Sequence, residues 1–148
     1  MENHLKLIIG CDLAAYDFKC QVLQKLSEKK YNIVDIGCYS SEQGDYPPIA
    51  EEVALRVVNG EFDRGLLICG TGQGMAIAAN KIKGVRAALC YDILPAILSR
   101  EHNNANILAS GSWMITVDKY IQMLEIWLFG KYSGGKHDAR LEYINNMK

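Results

Sequence analysis

Hydrophobic and polar positions along this chain follow two periods that take turns. Short, nearly continuous apolar runs occupy positions 5–10, 33–37, 66–69, 85–90 and 106–109, as expected for strands buried on both faces. Between them, Phe18, Val22, Leu23 and Leu26 recur at helical spacing, as do Ile49, Val53, Ala54 and Val57. Val117, Ile121, Leu124 and Leu128 mark a later helix, and Leu141, Ile144 and Met147 a terminal one. Asn59-Gly60 and Lys83-Gly84 read as helix stops. Strands alternating with helices predict an α/β fold of three layers. The expectation is a Rossmann-like, doubly wound parallel sheet of about five strands. A C-terminal helix follows, set off by Ser133-Gly134-Gly135. No repeat, low-complexity tract or linker interrupts the pattern, so one domain over residues 1–148 is expected.

In such a sheet, ligands bind beyond the carboxyl ends of the strands. Cys11-Asp12, Cys69-Gly70-Thr71 and Tyr91-Asp92 all fall there. The middle segment is the most telling. An apolar strand ends on Cys69, a Gly70-x-Gly72-x-Gly74 turn follows, and a small-residue helix begins. A thiol at that place faces a helix N-terminus, which favours thiolate, and the loop amides can cradle an anion or a developing oxyanion. A dinucleotide fingerprint fits poorly. Glycine or alanine would be needed at position 75 or 77, where Met75 and Ile77 stand. No Gly-Lys-Ser/Thr phosphate loop occurs either.

Composition narrows the choice. The net charge of −1 lacks the basic footprint of a nucleic-acid binder, and no apolar run is long enough to span a bilayer. Met1-Glu2-Asn3-His4 has no signal-peptide layout. Five cysteines, odd in number and without a Cys-x-x-Cys pair, argue against a disulfide framework or a zinc site. A reducing cytoplasm is the simplest home. Four of the five read as ordinary core or near-core residues, and Cys69 as the activated one.

Two polar clusters remain, Ser99-Arg100-Glu101-His102-Asn103-Asn104-Ala105-Asn106 and Gly134-Gly135-Lys136-His137-Asp138-Ala139-Arg140. Taken singly, the first is a capping or surface stretch and the second a solvated basic turn or an anion clamp. Taken with Gly10-Cys11-Asp12, Ser41-Glu42, Asp45-Tyr46-Pro47, the Cys69–Gly74 loop and Ala78-Ala79-Asn80-Lys81, they have a clear likeness. The chain resembles, nearly end to end, the ribose-5-phosphate isomerase B family, which includes the subunits of galactose-6-phosphate isomerase.

The resemblance implies an aldose–ketose isomerase working through a cis-enediolate without metal or organic cofactor. By that likeness Cys69 is the base moving a proton between C1 and C2. Amides around Gly70, Gly72 and Gly74 stabilise the enediolate, and Thr71 donates to the reacting hydroxyl. His102 opens the sugar ring, and Asp12, Tyr46, Asn80 and Asn103 contact or orient the sugar. The implied partners are a sugar phosphate and a second copy of the chain, as a homodimer or tetramer with the site at the subunit interface.

Three positions depart from the family's usual phosphate contacts: Leu13 replaces a histidine, Trp113 an arginine, and Lys136 an arginine. Only Arg140 stands unchanged in that group, and His137 beside it matches the family as a substrate-binding residue. The expected substrate is therefore a pentose or hexose phosphate shifted away from ribose 5-phosphate. The competing expectation is a non-catalytic or half-site subunit of a heteromeric isomerase. The presence of Cys69, Thr71 and His102 counts against it.

Overall fold

The structure, a computed structural model, describes residues 4–148. Met1-Glu2-Asn3, part of the N-terminal stretch discussed above, lies outside them. Five parallel strands form one sheet: β1 (Lys6–Cys11), β2 (Asn32–Asp35), β3 (Arg64–Cys69), β4 (Ala87–Leu89) and β5 (Ile107–Gly111). Their order is β2-β1-β3-β5-β4. The helices are α1 (Tyr16–Glu28), α2 (Tyr46–Val58), α3 (Gln73–Ala79), α4 (Ile93–Glu101), α5 (Val117–Phe129) and α6 (Asp138–Asn146). None is long and apolar enough to cross a membrane.

Burial follows position in the sheet. The central strands β3 and β5 are buried almost throughout, whereas edge strand β2 alternates between exposed and half-buried. Side chains of successive strand residues go to opposite faces. Leu7, Ile9, Leu66, Ile68 and Leu108 join Phe18, Val22, Tyr120, Leu124 and Trp127 under α1 and α5. Ile8, Leu67, Cys69, Ile107 and Ala109 join Ala50, Val53, Ala54, Met75 and Ala79 under α2 and α3. Each fully buried Leu or Ile contributes roughly 1.5–3 kcal/mol, so this double core supplies most of the driving force.

The chain leaves β1 toward β2 in one direction and from β3 onward in the other. The strand order therefore reverses between β1 and β3, the switch point beyond whose carboxyl ends ligands bind in sheets of this kind. Cys11-Asp12 and Cys69-Gly70 emerge on either side of it.

The structure departs from the sequence expectations in three places. The helix after Gly74 stops at Ala79, not at Lys83-Gly84, because Asn80 caps it. Helix α4, which the apolar spacing did not mark, fills residues 93–101. Cys20 is exposed rather than in or near the core, while Cys11, Cys38, Cys69 and Cys90 are buried.

Candidate active site

At the carboxyl edge, the chain leaves β3 at Cys69 and turns sharply through Gly70-Thr71-Gly72. Gly72 takes φ +79°, and a Cβ there would meet the Ser110 backbone at 2.7 Å. This left-handed residue turns its own amide back onto the cysteine, Gly72 N–H donating to Cys69 Sγ at 3.0 Å. A hydrogen bond to the charged form of an acid favours that form. Helix α3, only seven residues long, begins directly after this turn.

The loop after β5 holds the turn from the other side. Ser112 N–H donates to the Cys69 carbonyl at 2.9 Å and Trp113 N–H to the Gly70 carbonyl at 3.0 Å. The Thr71 hydroxyl oxygen accepts from Gln73 N–H at 3.3 Å, which leaves its proton to donate outward. Tyr91 donates its hydroxyl to the Thr71 carbonyl.

Around this loop, Asp12 accepts from Ala15 N–H at 3.2 Å, and burial pushes its carboxyl above the ordinary range. Asp45 caps α2 and places Tyr46, whose ring packs so close to Gly74 that a Cβ there would meet it at 2.6 Å. Trp113 lays its indole on Gly70 in the same manner and is otherwise 71% exposed. Leu13 is also exposed. The structure thus gathers Asp12, Leu13, Tyr46, Cys69, Gly70, Thr71, Gly72, Gly74 and Trp113 at one edge.

The other expected site residues are not there. Helix α4 runs back against the strand direction, so its C-cap His102 lies at the amino edge. The turn after it delivers Asn106, whose carbonyl accepts from Gly65 N–H at the start of β3. Register pairs Gly65 with Ile107 and Cys69 with Gly111, so the two edges are four strand residues, about 13 Å, apart.

His102 stacks on His137, centroids 4.4 Å apart and planes 16° from parallel. Burial, then the His102 charge beside it, pulls the His137 imidazole below its usual range. Lys136 and Arg140 flank this stack in sequence and are exposed. Asn103 and Asn80 line a cavity of about 280 Å³ with Arg86 and Leu141. Asn80 itself is committed to the fold: its side-chain amide donates to the Ala87 carbonyl at 3.0 Å and its oxygen accepts from Ala87 N–H at 2.9 Å.

Sequence reasoning missed what fixes the His102 turn. Buried Arg100 donates to Asn104 Oδ1 at 2.9 Å and to the Ala105 carbonyl at 2.6 Å, while Arg86 donates to the Asn104 carbonyl at 3.1 Å. Burial pulls Arg100 down to about 10, still fully charged at neutral pH. The only signal was an arginine inside a polar run. Among the described residues, no cluster of three or more His, Cys, Asp or Glu could hold a metal ion.

A family model described as Ribose/Galactose Isomerase matches residues 7–144. The chain is similar to ribose-5-phosphate isomerase B of Escherichia coli, 43% identical over 143 residues, covering 97% of this chain and 96% of that one. It is 36% identical over 141 residues to a D-erythrulose-4-phosphate isomerase of Pectobacterium atrosepticum, covering 95% and 93%. The crystal structure of a ribose 5-phosphate isomerase from Thermotoga maritima superposes with a TM-score of 0.95 at 39% identity, covering 98% of this chain and 100% of that one.

Proposed function

The chain belongs to the ribose/galactose isomerase family, and we propose that it interconverts an aldose phosphate and its ketose at a site shared between two copies. As an enzyme it is an aldose–ketose isomerase, and its substrate class is a sugar phosphate. The observation that carries the shared site is the separation of its parts. Cys69 and the glycine loop occupy the carboxyl edge, and His102 with His137, Lys136 and Arg140 the amino edge. A second copy, set carboxyl edge to amino edge by two-fold symmetry, would complete two equivalent sites at once.

In this reading His102 of one copy exchanges a proton with the ring oxygen and opens the sugar. Cys69 of the other takes the proton from C2 as a cis-enediolate forms, then returns it to C1. The Gly72 amide supports the thiolate, and first-turn amides of α3, including that of Gly74, support the enediolate oxygen. Thr71 donates to the reacting hydroxyl, and Asp12, Tyr46 and Asn103 orient the sugar. Lys136 and Arg140 hold the phosphate.

Leu13 and Trp113 bring no charge to the carboxyl edge, so the preferred sugar phosphate differs from ribose 5-phosphate. Relatives named for different sugars support that latitude. The competing reading, a half-site subunit that needs a distinct partner chain, is disfavoured by an intact Cys69, Thr71 and His102 in one sequence.

The test is Cys69→Ala in the purified chain. Isomerisation and solvent-deuterium exchange at C2 should both vanish while thermal stability stays near wild type. Turnover near wild type in that variant would remove the cysteine base from the mechanism.

A further inference from the structure

One peptide unit at the carboxyl edge carries two contacts that the reaction as described does not connect. The Thr71 carbonyl accepts the Tyr91 hydroxyl, and the N–H of the same peptide, on Gly72, donates to Cys69 Sγ at 3.0 Å. A hydrogen bond to a carbonyl polarises the whole amide and makes its N–H a stronger donor. From this geometry we propose that Tyr91 is a positioning residue for the Cys69 thiolate, acting through the Thr71–Gly72 peptide.

Tyr91 is well placed for this. It follows Cys90, whose amide donates to the Ala109 carbonyl and whose carbonyl accepts Ser110 Oγ at 2.8 Å, so its backbone is tied to β5. Burial, then the charge of Cys69, keeps the phenol protonated and therefore a donor. The hydroxyl also orients the loop, because the Thr71 carbonyl cannot rotate away without losing it. The other titratable groups around this turn are Asp12 beyond β1, Tyr46 on α2, and Asp92, which is paired with Lys119 of α5 at 3.2 Å. None of these has a hydrogen bond to the Thr71–Gly72 peptide among the described contacts.

The proposal rests on Cys69 being the reactive base, and its test does not depend on turnover. In Tyr91→Phe the ring stays and only the donor leaves. Alkylation of Cys69 by iodoacetamide, read on the Cys69 peptide by mass spectrometry, should slow roughly twofold to fivefold at neutral pH. The pH–rate profile should move to higher pH and rejoin wild type at the alkaline plateau. The Gly72 amide proton should shift upfield in NMR, and kcat should fall by a similar factor with KM little changed.

Site-specific 3-fluorotyrosine at position 91, a stronger donor, should move the alkylation profile the other way. It keeps the question answerable if the phenylalanine variant folds poorly. Alkylation profiles that overlay wild type, or that slow equally at every pH, would overturn the proposal. Failure of the base itself reads differently: Cys69→Ala would retain isomerase activity, whatever Tyr91 does to the thiol.

Discussion

Burial of the His137 imidazole against His102 makes the amino edge sensitive to acid. Its folded pKa lies below the ordinary histidine value, so the unfolded chain takes up the proton first. The stability associated with this group is complete above about pH 6.5 and is lost as pH falls through the depressed value. The melting temperature should therefore fall as pH drops below about 6.5, and His137→Gln should flatten that drop. An unchanged acid limb in His137→Gln would show that the stack does not control it. Leu13 and Trp113 matter in another way. Neither can make the charge-assisted hydrogen bond of the histidine and arginine that the resemblance leads one to expect there, worth roughly 1.5–3 kcal/mol, or tenfold to a hundredfold in binding. Leu13→His with Trp113→Arg should raise kcat/KM for ribose 5-phosphate by at least tenfold. If the natural chain already turns it over efficiently and the double change adds nothing, the substrate shift is wrong. Both positions were legible in the sequence because each breaks a pattern whose neighbours, Cys11-Asp12 and Gly111-Ser112, stand intact. The His102–His137 stack was not, since thirty-odd intervening residues hide a contact that only tertiary packing creates.

Among the elements, the turn between β3 and α3 decides whether the site exists. Gly72→Ala would put a Cβ 2.7 Å from the Ser110 backbone at φ +79°. Left-handed strain alone costs about 1–3 kcal/mol, and each kcal/mol lowers the melting temperature by roughly 2–4 °C in a chain this long. Gly72→Ala should melt several degrees lower and lose nearly all isomerase activity. Gly60, at φ +78° with open space around it, is the control: Gly60→Ala should cost less and leave kcat intact. Wild-type melting and turnover in Gly72→Ala would mean that the turn tolerates a side chain. Sequence pattern found the central strands because burial on both faces makes them continuously apolar. It passed over α4 because Ile93-Leu94-Pro95-Ala96-Ile97-Leu98 is apolar all round its first turns, with a proline that the first turn tolerates. It ended α3 late because the stop is a side-chain clamp, Asn80 on Ala87, and not a glycine.

For the whole molecule, strand–helix alternation already carries the central consequence. A helix that leaves the carboxyl edge must return to the amino edge before the next parallel strand, so His102 cannot share an edge with Cys69. The motif placed both residues in one site by resemblance, and topology separates them in one chain. The direct measurement is complementation on a cyclic aldose phosphate. Cys69→Ala and His102→Asn chains, each nearly inactive alone, are unfolded together and refolded as a mixture. If the site is shared, hybrid dimers carry one intact site of two, and the mixture should regain about a quarter of wild-type activity. Activity no greater than the sum of the two variants, from a mixture shown to contain hybrids, would contradict a site built across two copies.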